Sequence, residues 1–72
     1  MKQNTERLNR IKKVYELIKE KEWIGIEEIT KNFPELSFKT LREYIKTLFS
    51  MELLEIDSHS RYKVIKEFPN VI

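Results

Sequence analysis

The sequence predicts a mainly α domain with a small β-hairpin: an α+β class of three helices plus a two- or three-stranded antiparallel sheet. Three observations predict it. Apolar residues recur at three- and four-residue spacing as far as Met51. The period then changes to alternation between Leu53 and Lys66. Within the helical stretch, the strong breaks fall at Gly25 and Pro34.

The first helix is expected from Thr5 to Lys21, with Leu8, Ile11, Tyr15 and Ile18 along one stripe. Val14 widens that stripe, Leu17 lies opposite it, and Asn4 or Thr5 caps the start. A charged turn, Lys19 to Glu22, leads to the short extended pair Trp23-Ile24. Ile26, Ile29 and Phe33 mark a second helix from about Ile26 to Asn32. Glu27 and Glu28 sit in its first turn, where carboxylates meet the positive helix end, and Pro34 cannot continue it. Ser37 is the N-cap of a third helix from Phe38 to about Met51, with Leu41, Tyr44, Ile45 and Leu48 on one face. Leu53 to Ile56 and Tyr62 to Lys66 form an antiparallel hairpin about the polar turn Asp57 to Arg61. The tail, Glu67 to Ile72, has apolar residues without a clear period.

Seventy-two residues make a single domain over 1–72. A chain this short buries roughly 60% of its unfolded surface, so one small core must supply the stability. The absence of cysteine excludes disulfides and thiolate metal sites, and the lone His59 cannot join other histidines on a metal. No cofactor is expected. Charged residues are 36% of the chain, yet the net charge is only +2. Position, not overall charge, must therefore argue for any nucleic-acid partner. The wealth of Lys, Glu and Ile resembles the bias of hyperthermophile proteins. No apolar run is long enough to cross a bilayer, and the first residues lack a signal peptide's apolar stretch. The expected location is cytoplasmic, with nucleoid association if DNA is the partner.

The second and third helices are short and separated by a few residues around Pro34. That is helix-turn-helix spacing, in which the second helix of the pair enters the major groove. At about 100° per residue, Lys39, Arg42, Glu43 and Lys46 share an arc opposite Leu41, Ile45 and Leu48. Burial of the apolar side therefore turns three cations outward together. Ser37, Lys39 and Thr40 stand at the amino end, which approaches the bases in such docking. Arg42 suits a bidentate contact to guanine, Lys39 or Lys46 a phosphate, and Glu43 either cytosine or a neighbouring lysine.

The segments Trp23-Ile24-Gly25-Ile26-Glu27-Glu28-Ile29 and Ser37-Phe38-Lys39-Thr40-Leu41-Arg42, followed by Ile45, Leu48 and Leu53-Leu54, resemble the winged helix-turn-helix superfamily of transcriptional regulators. The resemblance spans residues 8–66. It implies double-stranded DNA as partner, a recognition helix at 38–51 and a wing at 53–66. The family often places Gly before the first wing strand, where this chain has Glu52; a left-handed backbone there costs a non-glycine residue energy. The wing turn also lacks Gly, which implies a shorter reach.

Arg61 and Lys63 alternate with Tyr62 and Val64, so they project from the hairpin face away from the core. They suit backbone phosphates, or the defence of an exposed edge by charge. His59, at the turn, suits a phosphate or a minor groove. Trp23, Phe33, Tyr44, Phe49 and Tyr62 read as core or core-edge residues, while Phe38 is open between packing and exposure. A homodimer is expected, because paired half-sites multiply affinity. Val14, Leu17, Phe68, Val71 and Ile72 are its candidate interface, unless the tail packs back on its own first helix. An enzyme is not expected: a core this small leaves no sizeable pocket, and Glu27 and Glu28 point apart. Neither a membrane nor a small-molecule effector is an expected partner. The competing reading is a protein-interaction module in a replication, transcription or membrane-remodelling complex, which the near-neutral charge favours.

Overall fold

The computed structural model describes residues 2–69. The elements in chain order are α1 (Lys2–Lys21), β1 (Ile24–Gly25), α2 (Ile26–Asn32), α3 (Phe38–Ser50), β2 (Leu54–Ile56) and β3 (Arg61–Val64). Their order follows the sequence periodicity, with shifts in bounds: β1 is Ile24–Gly25 and not Trp23-Ile24, β3 is Arg61–Val64 and not Tyr62 to Lys66, and α1 starts earlier. α1 begins at Lys2, so neither Asn4 nor Thr5 is its cap. No Gly or Pro stands between Lys2 and Thr5, so nothing in that stretch stops the helix extending upstream.

Each boundary has a local cause. After α1, Glu22 takes φ 68° and the Trp23 N–H reaches back to the Lys21 carbonyl at 2.8 Å, a three-residue turn that reverses the chain into β1. α2 is capped at Gly25, whose backbone is extended and which offers no side chain to the first turn. Between α2 and α3, the Leu36 N–H bonds the Phe33 carbonyl at 3.0 Å, closing a turn with Pro34 in its second position, where its fixed φ fits. Ser37 then caps α3, its Oγ accepting from the Thr40 N–H at 3.1 Å.

The carboxyl end of α3 is a Schellman motif. Glu52 N–H bonds the Phe49 carbonyl at 2.9 Å, and Leu53 N–H bonds the Leu48 carbonyl at 3.1 Å. Leu48 and Leu53 are both buried, which adds the apolar contact that accompanies the motif. Glu52 carries the left-handed backbone, φ 62°, that the motif demands at this point. The helix therefore ends as a glycine-terminated one would, with the steric cost of a Cβ accepted.

The sheet is three-stranded and antiparallel in the order β1-β3-β2. Tyr62 is central: it pairs with Ile24 on one side and Ile56 on the other. Period-2 alternation turns Ile24, Leu54, Tyr62 and Val64 toward the helices. Trp23, Gly25, Glu55, Arg61 and Lys63 fall on the outer face.

One core joins all the elements. Ile11, Val14, Tyr15 and Ile18 come from α1, Ile24 from β1 and Ile29 from α2. Leu41, Tyr44, Ile45 and Leu48 come from α3, and Leu53 and Leu54 from the hairpin. Truncating Leu41 or Leu48 to Ala would cost about 2–5 kcal/mol, comparable to the whole stability of a domain this size. Among the described residues no helix is long and apolar enough to cross a membrane.

The tail returns to α1. The Tyr15 hydroxyl donates to the Lys66 carbonyl at 2.9 Å and accepts from the Phe68 N–H at 3.0 Å. The rings of Tyr15 and Phe68 lie 5.3 Å apart. The core's packing corrects one of the expected interface residues, Val14. Val14 is 0% exposed in the chain's own core and so is closed to a second copy, while Phe68 packs on Tyr15 of the same chain and stays half-buried. Leu17 is half-buried at the core's edge, while Val71 and Ile72 lie outside the described residues.

Candidate nucleic-acid interface

Burial of Leu41, Tyr44, Ile45 and Leu48 fixes the rotation of α3, and its opposite face carries Lys39, Arg42, Glu43 and Lys46. All four are exposed. Among the described residues, neither the tail as far as Pro69 nor the hairpin covers them. Among the described residues no carboxylate lies within ion-pair distance of Lys39, Arg42 or Lys46, and Glu43 has no cationic partner. The helix therefore presents three unneutralised cations over about two turns.

Ser37 and Thr40, placed at the same end, are engaged with each other. Besides the cap, the Ser37 hydroxyl donates to Thr40 Oγ1 at 2.9 Å. The Ser37 hydroxyl is thus spent as donor and acceptor within the helix start, while Thr40 Oγ1 accepts there and keeps its own proton to donate. Phe38, between them, is 48% exposed. The Arg42 guanidinium lies 5.7 Å over its ring, a cation–π contact one helical turn apart.

The face is not a plain ridge. Tyr62 of β3 stands against Phe49, ring centres 5.8 Å apart, and together they wall one side of an open groove of about 630 Å3. Phe38, Ile45, Phe49 and Tyr62 give it apolar surface, and Lys39, Arg42, Glu43 and Lys46 line the remainder. The groove does not bear on the expectation that a core of this size leaves no sizeable pocket within it. The space lies on the surface, where helix and sheet meet at an angle, and not inside the core. The spacing along α3 could identify the helical residues; the contribution of Tyr62 depends on the hairpin's placement, which no local pattern encodes.

The hairpin turn is held by Asp57. Its Oδ1 accepts from the His59 and Arg61 N–H groups at 2.9 and 2.8 Å, and its Oδ2 accepts from the Arg61 guanidinium. Partial desolvation pushes the Asp57 carboxyl upward. The hydrogen bonds from the Arg61 backbone and side chain and from His59, with the guanidinium charge, outweigh it and leave the group below the ordinary carboxylate value of 3.8. Ser60 completes the turn with φ 62°.

This arrangement divides the three hairpin contact candidates. Arg61 is ion-paired with Asp57 at 2.8 Å and lies 6.0 Å from the Trp23 ring centre. The Lys63 ammonium lies 5.4 Å from the same ring. His59 is exposed at the turn and shows no side-chain partner among the described residues. Trp23, expected at the core or its edge, instead stands on the outer sheet face beneath Arg61 and Lys63. Its position follows from Ile24, whose burial sends the preceding residue to the other side. No family model matches the chain, and neither a curated protein nor a solved structure was found to be similar to it.

Proposed function

We propose that the chain is a winged helix-turn-helix domain that binds double-stranded DNA as a transcriptional regulator and is not an enzyme. α3 enters the major groove, and the hairpin is the wing. The observation that carries the reading is the outward face of α3: Lys39, Arg42 and Lys46 are exposed, unpaired and uncovered by the rest of the described chain. Support also comes from the turn at Pro34, which sets α2 and α3 at helix-turn-helix spacing. Arg42 is the guanine-reading candidate, and Lys39 and Lys46 meet phosphates on either side of it. On the hairpin, Lys63 and His59 are the better backbone contacts, because Arg61 is bound to Asp57.

Phosphate-driven binding weakens with salt by a slope of about −0.9 per phosphate neutralised. Fluorescence anisotropy on a mixed-sequence duplex at two salt concentrations tests the proposal. Arg42→Ala and Lys46→Ala should each weaken binding while the melting temperature holds, and Lys46→Ala should lower the salt slope by about 1. Unchanged affinity in both variants would refute it.

The apolar surface within the groove, from Ile45, Phe49 and Tyr62, favours a second reading: a docking site for a protein segment. A partner seated on those residues would bind with weak salt dependence and lose affinity in Phe49→Ala more than in Lys46→Ala. The homodimer is a separate proposal, with the half-buried Leu17 and Phe68 as its candidates among the described residues. A monomer by sedimentation at tens of micromolar would remove it.

A further inference from the structure

We propose that Phe38 contacts the C5-methyl group of a 5-methylpyrimidine, so that the chain prefers duplexes carrying that methyl beside the guanine contacted by Arg42. The inference rests on the DNA-binding reading above and adds a specificity-determining residue to it. Phe38 is the first residue of α3, directly after the cap, at the end that approaches base edges. Its helix buries Leu41, Tyr44, Ile45 and Leu48, yet this ring remains 48% exposed. The neighbouring hydroxyls of Ser37 and Thr40 are bonded to each other at 2.9 Å. The Phe38 ring is thus the exposed apolar group at that end, with the cations beside it. In the major groove the base edges offer polar donors and acceptors and a single apolar group, the pyrimidine methyl. The Arg42 guanidinium lies 5.7 Å over the ring, so a base edge met by the one has the other as its neighbour. Thymine presents that methyl, and 5-methylcytosine presents it at the same ring position.

The experiment uses the full chain and three labelled duplexes of one mixed sequence: with thymine, with uracil replacing every thymine, and the uracil form with 5-methylcytosine replacing cytosine. Anisotropy titrations should give roughly fourfold tighter binding to the thymine duplex than to the uracil duplex, the gain expected from burying one methyl group. The 5-methylcytosine duplex should recover the loss. Phe38→Ala should bind the thymine and uracil forms equally with its salt slope retained, and Phe38→Leu, still apolar, should keep part of the preference. Circular dichroism confirms that both variants fold. Equal wild-type affinity for thymine and uracil duplexes, or a preference that survives in Phe38→Ala, overturns the inference while leaving DNA binding standing. No salt-dependent binding to any duplex overturns the DNA reading and this inference together.

Discussion

Glu22, Glu52 and Ser60 take left-handed backbone with φ between 62° and 68°, while the chain's single glycine, Gly25, takes an ordinary extended conformation with φ −89°. A Cβ in the left-handed region crowds the following carbonyl and costs about 1–2 kcal/mol. At Glu52 the cost is tolerated because the Schellman bonds and the Leu48–Leu53 contact fix the helix end. Glu52→Gly should therefore raise stability by up to about 1 kcal/mol, net of the extra freedom glycine gives the unfolded chain. For a domain of this size that is a rise in melting temperature of about 4–8 °C. A thermal melt that falls would show that Glu52 contributes more than its long 3.7 Å pair with Lys66. The sequence made this position legible: Glu52 stands between a helix and a strand, where glycine is usual. Nothing comparable announces Glu22, whose turn is set by where β1 must pair with β3. The hydroxyl of Tyr15 was equally hidden. The helical stripe places its ring in the core, but its bonds to Lys66 and Phe68 depend on a tail 51 residues away or more.

At the scale of elements, α2 is the weakest member. It has seven residues, and its cap position holds Gly25, which offers no side-chain acceptor to the first N–H groups. A Cβ at Gly25 would meet nothing within 4 Å. Gly25→Ser should stabilise the fold by a few tenths to about 1 kcal/mol, read as a higher midpoint in urea at unchanged slope. The hairpin depends instead on one carboxylate. Because the folded value of Asp57 lies below its ordinary 3.8, its contribution is complete above that value and disappears as acidification passes the lowered one. Asp57→Asn keeps an oxygen for the His59 and Arg61 N–H groups but removes the charge. Melting temperatures followed from neutral pH into the acid range should fall more for the wild type than for this variant; parallel curves would count against the argument. Alternation made the strands readable and put Arg61 and Lys63 on the outer face. It could not reveal that Arg61 belongs to Asp57, since turn geometry decides whether a salt bridge closes across four residues.

For the molecule as a whole, the legible part is the part that periodicity controls: three helices, a hairpin, and a cationic face opposite Leu41, Ile45 and Leu48. The groove is not legible, because it exists only where Tyr62 meets Phe49. The return of the tail to α1 is one of two readings the sequence leaves open; the hydroxyl that clasps it is not legible. Tyr15→Phe tests that clasp. It leaves the Lys66 carbonyl and the Phe68 N–H without their partner and should cost about 1 kcal/mol, with hydrogen exchange rising at Phe68. Protection at that amide that survives the substitution would mean that something other than the hydroxyl holds the tail.

Trp23 is the only tryptophan in the chain. It lies beneath the two cationic side chains of β3, outside the core, so its emission is a built-in optical probe of that strand. A polyanion that draws Lys63 off the indole should change the fluorescence with no dye attached, whereas a ligand confined to α3 should leave it dark to the event. One spectrum can thus tell whether the hairpin takes part in binding, separately from whether binding occurs.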